Sequence, residues 1–386
     1  MDELTRLARP EILAMATYTS LRHEGEPSRP VRLDANESPY LPWLGGVDAR
    51  DAEGMTLEIN RYPEPQPYAL LQRFSEHFET SIDSLLITRG ADEAIDLLVR
   101  AFCIPRRDGI IVCPPTFAMY AIAAQIQDAS VSEVPLTAAP HFQLDVDRIT
   151  ATQRRGQGTV ARSLFDWRPR RCVVKLVFVC TPNSPTGNLL RREDVLALCS
   201  GLRGRALVIA DQTYVEYSGE APLSTEISSH PNLVVLRTLS KEYSLAGERI
   251  GITIAHPEVI GVLQRILAPY PLAQSAIALA SLTLRPEGVA HARANIGRLL
   301  DERRRVKAAL EAMPGTRVFP SDANWLLVGV ADSTELVRRF ETAGIQVRDR
   351  SSVCGIEGSV RISIGTGEEN DAMLAVVSQH TGFSAS

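Results

Sequence analysis

Only three residues of this chain can offer a side-chain amine: Lys175, Lys241 and Lys307, among 41 basic residues. Lys241 has unusual neighbours. It lies in LRTLSKEYSLAGERIG, close to Thr238, Ser240 and Arg249, directly after an apolar run. Hydroxyls and a guanidinium are the groups that hold a phosphate. A lysine set among them and partly desolvated has its amine pKa lowered, by burial and by the adjacent guanidinium, and is suited to forming a Schiff base. Lys175 sits inside an apolar strand. Lys307 follows three arginines on an amphipathic helix and reads as a solvated side chain.

Four other apolar runs end in groups that bind. TRGADE opens a helix at Ala91 and Asp92 after Gly90; the free N–H groups of a helix start bind anions, although Asp92 also fits a first turn through the macrodipole alone. CPPTFAMY delivers Phe117, either a core ring or a stacking wall. TPNSPTGN fixes Asn183 between two prolines and a glycine, where its amide can donate to a ligand oxygen. ALVIADQTY ends in Asp211 with Tyr214 three residues on; a buried carboxylate there needs a cation or a strong donor, from a salt bridge or from a ligand. Taken together the parts describe one ligand. It has a phosphate (Ala91, Asp92, Thr238, Ser240, Arg249), a flat ring (Phe117), a ring oxygen (Asn183, Tyr214), a ring nitrogen that wants a carboxylate (Asp211) and an aldehyde for Lys241. Pyridoxal 5'-phosphate has each of these features.

Such loops must be held at the carboxyl ends of strands in an open parallel sheet. The chain supplies one. SLLITRG, GIIVCPP, CVVKLVFVCTPN, ALVIADQTY and NLVVLRTLS read as short buried strands, and ADEAIDLLVRAFC, TFAMYAIAAQI and REDVLALCSGL as helices between them. RYPEPQPYALLQRFSEHF begins with prolines and becomes helical, with Leu70, Leu71, Phe74 and Phe78 at three- and four-residue spacing. A short helical stretch is expected around Ile12–Leu21. Beyond about Pro271 long helices give way to the strand-like ANWLLVGV and SVRISIG around a helix, STELVRRFETAG. The expected fold is α/β: a large domain over 61–272 with a mostly parallel central sheet, and a smaller α+β domain over 273–386, to which residues 1–60, an N-terminal arm, contribute in part. The arginine-rich segment within 151–171 reads as a solvated insertion, because no aromatic series accompanies its charge.

Length and composition fit that picture. The chain has 386 residues, 45% hydrophobic and 23% charged, with a formal net charge of −5. Nothing there favours nucleic acid or an anionic membrane as partner. No run approaches the ~20 apolar residues of a membrane span. The first residues lack a basic-then-apolar signal layout, so the cytoplasm is expected. The six cysteines form no C-x-x-C pair and the seven histidines no H-x-x-x-H spacing, so no metal site is expected. P-loop, G-x-S-x-G and G-x-G-x-x-G motifs are missing too.

The motifs span nearly the whole chain: LDANESPY, RYPEPQP, TRGADEAIDLLVRAFC, CPPTFAMY, TPNSPTGN, ADQTYVEYS, LRTLSKEYSLAGERIG, LAPYPLA, ANWLLV and VRISIGTGEEND. In them the chain resembles the fold-type-I, pyridoxal-phosphate-dependent class I/II aminotransferases. RYPEPQP and LAPYPLA narrow the resemblance to the histidinol-phosphate aminotransferases. The resemblance implies a homodimer in which Tyr62 reaches the cofactor phosphate of the other subunit, with Lys241 as the Schiff-base lysine and Asp211 on the pyridine nitrogen. It implies that Arg361 takes the substrate's anionic end, and that Tyr18, Asn36 and Arg348 line the pocket nearer the substrate's phosphate. The small-molecule partners would be an amino donor and 2-oxoglutarate or glutamate. Phe117, Gln212, Thr213, Glu242 and Ser244 depart from the common pattern. They leave open a related aminotransferase for aromatic or specialised amino acids, a threonine-phosphate decarboxylase, or a regulator that only binds the cofactor.

Overall fold

The computed structural model describes residues 4–13, 57–158 and 170–381. Its strands are β1 (Leu85–Arg89), β2 (Asp108–Val112), β3 (Ser130–Glu133), β4 (Gln157–Gly158), β5 (Arg170–Arg171), β6 (Val173–Cys180), β7 (Leu207–Asp211), β8 (Leu233–Thr238) and β9 (Ile250–Ala255). They continue with β10 (Arg317–Val318), β11 (Trp325–Gly329), β12 (Arg348–Asp349) and β13 (Ser359–Ser363). Seven form one sheet in the order β1-β9-β8-β7-β6-β2-β3. Within it β9 runs antiparallel to both neighbours, and the other pairings are parallel.

The sheet is covered on both faces, which explains its Val/Ile/Leu-rich strands without polar alternation. Successive side chains still point to opposite sides. Ile87, Ile111, Val177, Val208, Val235 and Ile252 join one core cluster. Leu86, Ile110, Leu176, Ile209 and Val234 join the other. The helices Gly90–Phe102 and Pro257–Gln264 pack into the second cluster, and Tyr68–Phe78 and Arg192–Leu202 into the first. Every parallel strand ends at the same edge, so the five loops read from the sequence converge there.

A four-stranded antiparallel sheet, β10-β11-β13-β12, carries a third core with the helices Ser333–Thr342 and Gly367–Thr381. The helix Pro286–Glu311 bridges the two sheets, with Ala292 in a large-sheet core and Val306 and Leu310 in the third. Residues 4–13 pack against the large sheet through Leu4, Leu7, Ala8 and Ile12. The arginine-rich segment begins inside a helix, Val146–Arg155, and β4 pairs with β5 across it. That helix starts at Asp145, whose side chain accepts from the Arg148 N–H at 3.0 Å, and stops at Gly156, with φ of 60°. Among the described residues no helix is long and apolar enough to cross a membrane.

Candidate active site

A cavity of about 270 Å³ opens at the carboxyl edge of the large sheet, facing the small one. Its lining includes Ala91, Asp92, Phe117, Asp211, Tyr214, Thr238, Ser240, Lys241, Arg249, Arg348 and Arg361. These eleven came from six separate stretches of sequence. Two other grooves, of about 350 and 440 Å³, are larger but contain no lysine.

Lys241 leaves the loop after β8 and stands exposed in the cavity. Partial burial lowers its pKa, and the charges of Arg361 and Arg249 lower it further, against Asp92. A larger fraction of the amine is therefore neutral and nucleophilic. Glu242, its neighbour in sequence, turns away. It is buried and meets the buried Arg237 at 3.2 Å, while Arg237 also meets Glu216 at 2.5 Å.

Asp211 ends β7 and is 4% exposed. Burial raises its pKa, and hydrogen bonds from Thr213 and Tyr120 pull it back. Tyr120 Oη donates to one carboxylate oxygen at 2.7 Å, and the Thr213 N–H and Oγ1 donate to the other at 3.1 and 2.5 Å. Neither donor is legible in the sequence: Tyr120 lies on a helix 91 residues earlier, and Thr213 reads there only as a departure from the common pattern. Phe117 forms a wall, edge-on to Tyr120 at 5.5 Å. Tyr214 packs edge-on against Trp325 at 4.5 Å.

The opposite end of the cavity suits an anion. Gly90 starts the helix Gly90–Phe102 with φ of +77°; its N-cap residue, Arg89, makes no side-chain capping bond, and the Arg89 N–H donates to Glu93 Oε2 at 2.6 Å. A Cβ on Gly90 would come within 2.8 Å of Arg249 Nη2. One on Gly251 would meet the Gly90 carbonyl carbon at 2.3 Å. The two missing side chains let β9 press Arg249 against the first turn, beside the Ala91 and Asp92 amides. Arg249 pairs with Asp92 at 3.2 Å. Thr238 Oγ1 donates to Ile250 O at 2.8 Å and lies 2.9 Å from Ser240 Oγ.

Arg361 Nη1 donates to Ser184 Oγ at 3.1 Å, and its guanidinium lies 5.4 Å from the Trp325 ring. Arg350 joins the lining as well, although the sequence reading did not single it out. Asn183 is buried beside the cavity rather than on its surface. Its amide nitrogen donates to Pro115 O at 2.8 Å and to Thr186 Oγ1 at 2.6 Å. As placed, it offers no free donor. Tyr62 stacks on Tyr270 at 4.5 Å and is not in this cavity. Tyr18 and Asn36 lie outside the described residues.

The set fits pyridoxal phosphate: a helix start with an arginine for a phosphate, a ring wall, a buried carboxylate held by three donors, and a lysine of lowered pKa.

Comparison with known proteins agrees. Residues 28–377 match the family described as aminotransferase class I and II. The chain is 40% identical to a histidinol-phosphate aminotransferase of Stenotrophomonas maltophilia, over 98% of this chain and 97% of that one. It is 37% identical to one from Pectobacterium carotovorum over the full length of both. Among solved structures, the histidinol-phosphate aminotransferase of Sinorhizobium meliloti in complex with pyridoxal-5'-phosphate superposes with a TM-score of 0.71 at 21% identity, covering 83% of this chain and 82% of that one.

Proposed function

Because the chain belongs to the class I and II aminotransferase family, we infer that it is a pyridoxal-phosphate-dependent transaminase converting L-histidinol phosphate and 2-oxoglutarate to imidazole-acetol phosphate and L-glutamate, a step of histidine biosynthesis. The observation that carries this reading is Lys241, with a lowered pKa, in one cavity with Asp211, Arg249, Arg348 and Arg361. When bound, pyridoxal phosphate supplies an aldehyde for the amino group and a ring that takes up the electron pair left at the substrate's Cα.

Each residue then has a task. The Ala91 and Asp92 amides, Thr238, Ser240 and Arg249 bind the cofactor phosphate. Phe117 stacks on the ring. Tyr214 and Asn183 bind its hydroxyl, and for Asn183 this requires exchanging its bond to Pro115 or Thr186 for one to the ligand. Asp211 keeps a proton on the ring nitrogen. Lys241 Nζ would hold the group, and its amine would take the proton from the substrate's Cα as base and return it as acid. Arg361 binds the substrate's anionic end. The reading assigns Arg348, together with Tyr18 and Asn36, to the donor's phosphate. Arginine serves a phosphate monoester and a dicarboxylate alike, because each offers planar pairs of oxygens. The reading includes a cytoplasmic homodimer whose second subunit supplies Tyr62, and a domain boundary near residue 272.

The test is incubation of the cofactor-loaded enzyme with histidinol phosphate and 2-oxoglutarate, following glutamate and carbon dioxide. Glutamate without carbon dioxide is expected. Absence of glutamate overturns the reading, and carbon dioxide release in its place makes the protein a decarboxylase.

A further inference from the structure

Three arginines rise from one face of the small sheet. Arg348 stands directly opposite Arg361 across the β12–β13 pair. Arg350 lies two residues beyond Arg348, and its N–H donates to Ser359 O at 3.0 Å. Residues two apart on a strand share a face. The three side chains therefore project together, away from Val360 and Ile362, which enter the third core. All three line the cavity of Lys241.

Cations placed opposite one another across a strand pair repel, which costs stability. No ion pair relieves them among the described residues. Arg361 and Arg350 donate to neutral oxygens, Ser184 Oγ at 3.1 Å and the Asp349 carbonyl at 3.2 Å. Burial lowers the pKa of Arg350, and the charges of Arg361 and Arg348 lower it further, against Asp349. A cluster like this is complementary to an anion carrying more than one charge.

A carboxylate has one charge and two oxygens, and a single bidentate guanidinium satisfies it. A phosphate monoester carries about −1.5 to −2 at neutral pH and has three terminal oxygens. Arg361 and Arg348 already supply one guanidinium for each carboxylate of 2-oxoglutarate, whereas a single phosphate offers a third oxygen to a third donor. We propose that Arg350 is a specificity-determining residue, binding the phosphate of the phosphorylated amino donor and contributing little to the dicarboxylate acceptor. This rests on the transaminase reading above.

The test compares wild type with Arg350→Gln and Arg350→Lys, all loaded with cofactor. In Arg350→Gln the KM for histidinol phosphate should rise on the order of tenfold, the loss expected for one charge-assisted hydrogen bond. The KM for 2-oxoglutarate should change less than twofold, and the lysine variant should recover part of the loss. Wild-type KM for the donor should fall as pH rises through about 6, where the monoester gains its second charge, and the glutamine variant should flatten that dependence. Glycerol 3-phosphate and glutarate, titrated as unreactive ligands against the cofactor's visible absorbance, give a readout free of turnover. Weakened binding of the phosphate ester alone supports the proposal. Equal weakening of both ligands, no change in either, or a loss confined to cofactor affinity overturns it. If wild type makes no glutamate from histidinol phosphate, the donor assignment fails, while the two titrations still decide the role of Arg350.

Discussion

Asp211 has to be charged where burial disfavours charge. Three donors from Thr213 and Tyr120 meet its two oxygens and hold its pKa down against desolvation. A Tyr120→Phe protein keeps the ring stacked on Phe178, now at 4.7 Å, and removes only the hydroxyl. The Asp211 pKa then rises. Because the ionised form is the working one, the acid limb of the kcat profile should move to higher pH, with kcat falling about tenfold at neutral pH for the loss of one hydrogen bond to a charged group. An unmoved acid limb would refute this role for Tyr120. The residue scale also shows what the sequence could carry. Lys241 was legible because its partners Ser240 and Arg249 are local and lysine is scarce. Tyr120 was not, because its partner is 91 positions away. The orientation of Glu242 is likewise not legible from its place beside Lys241: its carboxylate turns to Arg237, away from the amine, and burial pushes its pKa up to about 8.

At the scale of elements, β1, β2, β6, β7 and β8 and the helices Gly90–Phe102, Met119–Ile126 and Arg192–Leu202 were legible as apolar runs and periodic segments. Neither β3 nor β9 was, and the direction of β9 is hidden in any case, since a strand buried on both faces has the same composition whichever way it runs. Yet β9 positions the anion end of the site. Its Gly251 admits the backbone of Gly90 and Ala91 within reach of where a Cβ would be, at 2.3 to 2.6 Å. Backbone there has nowhere to retreat without opening the β1–β9 pair. Gly251→Ala should destabilise the protein by about 3 kcal/mol through overpacking. It should also raise the Kd for pyridoxal phosphate, because the first helical turn moves away from Arg249. Gly261, in the helix Pro257–Gln264, is the control: nothing lies within 4 Å of its added methyl. Gly261→Ala should raise stability by about 0.5–1 kcal/mol and leave cofactor affinity alone. Thermal unfolding and fluorescence titration with the cofactor measure both. Equal behaviour of the two variants would show that the close approach of β9 is not what shapes the cradle.

For the whole molecule the open issue is how many chains complete one site. Tyr62, from RYPEPQP, is 49% exposed and stacks on Tyr270, from LAPYPLA, so the two stretches that narrowed the family resemblance touch each other. Neither tyrosine reaches the cavity of its own chain. Ile122, Ile126, Leu279 and Leu282 add large exposed apolar side chains. A two-fold dimer buries such surface and places the same residue at both sites. Complementation decides whether Tyr62 serves the partner. Lys241→Ala and Tyr62→Ala proteins are each prepared, mixed under conditions that exchange subunits, and assayed. In a mixed dimer the Tyr62→Ala chain keeps its lysine and would receive an intact Tyr62 from the other chain. That restores one of two sites, in about half of the dimers, and activity should reach about a quarter of wild type. If Tyr62 acts within its own chain, every site in every dimer lacks either the tyrosine or the lysine. Activity in the mixture would then stay at the level of the parent variants, and the shared-site assignment would fall.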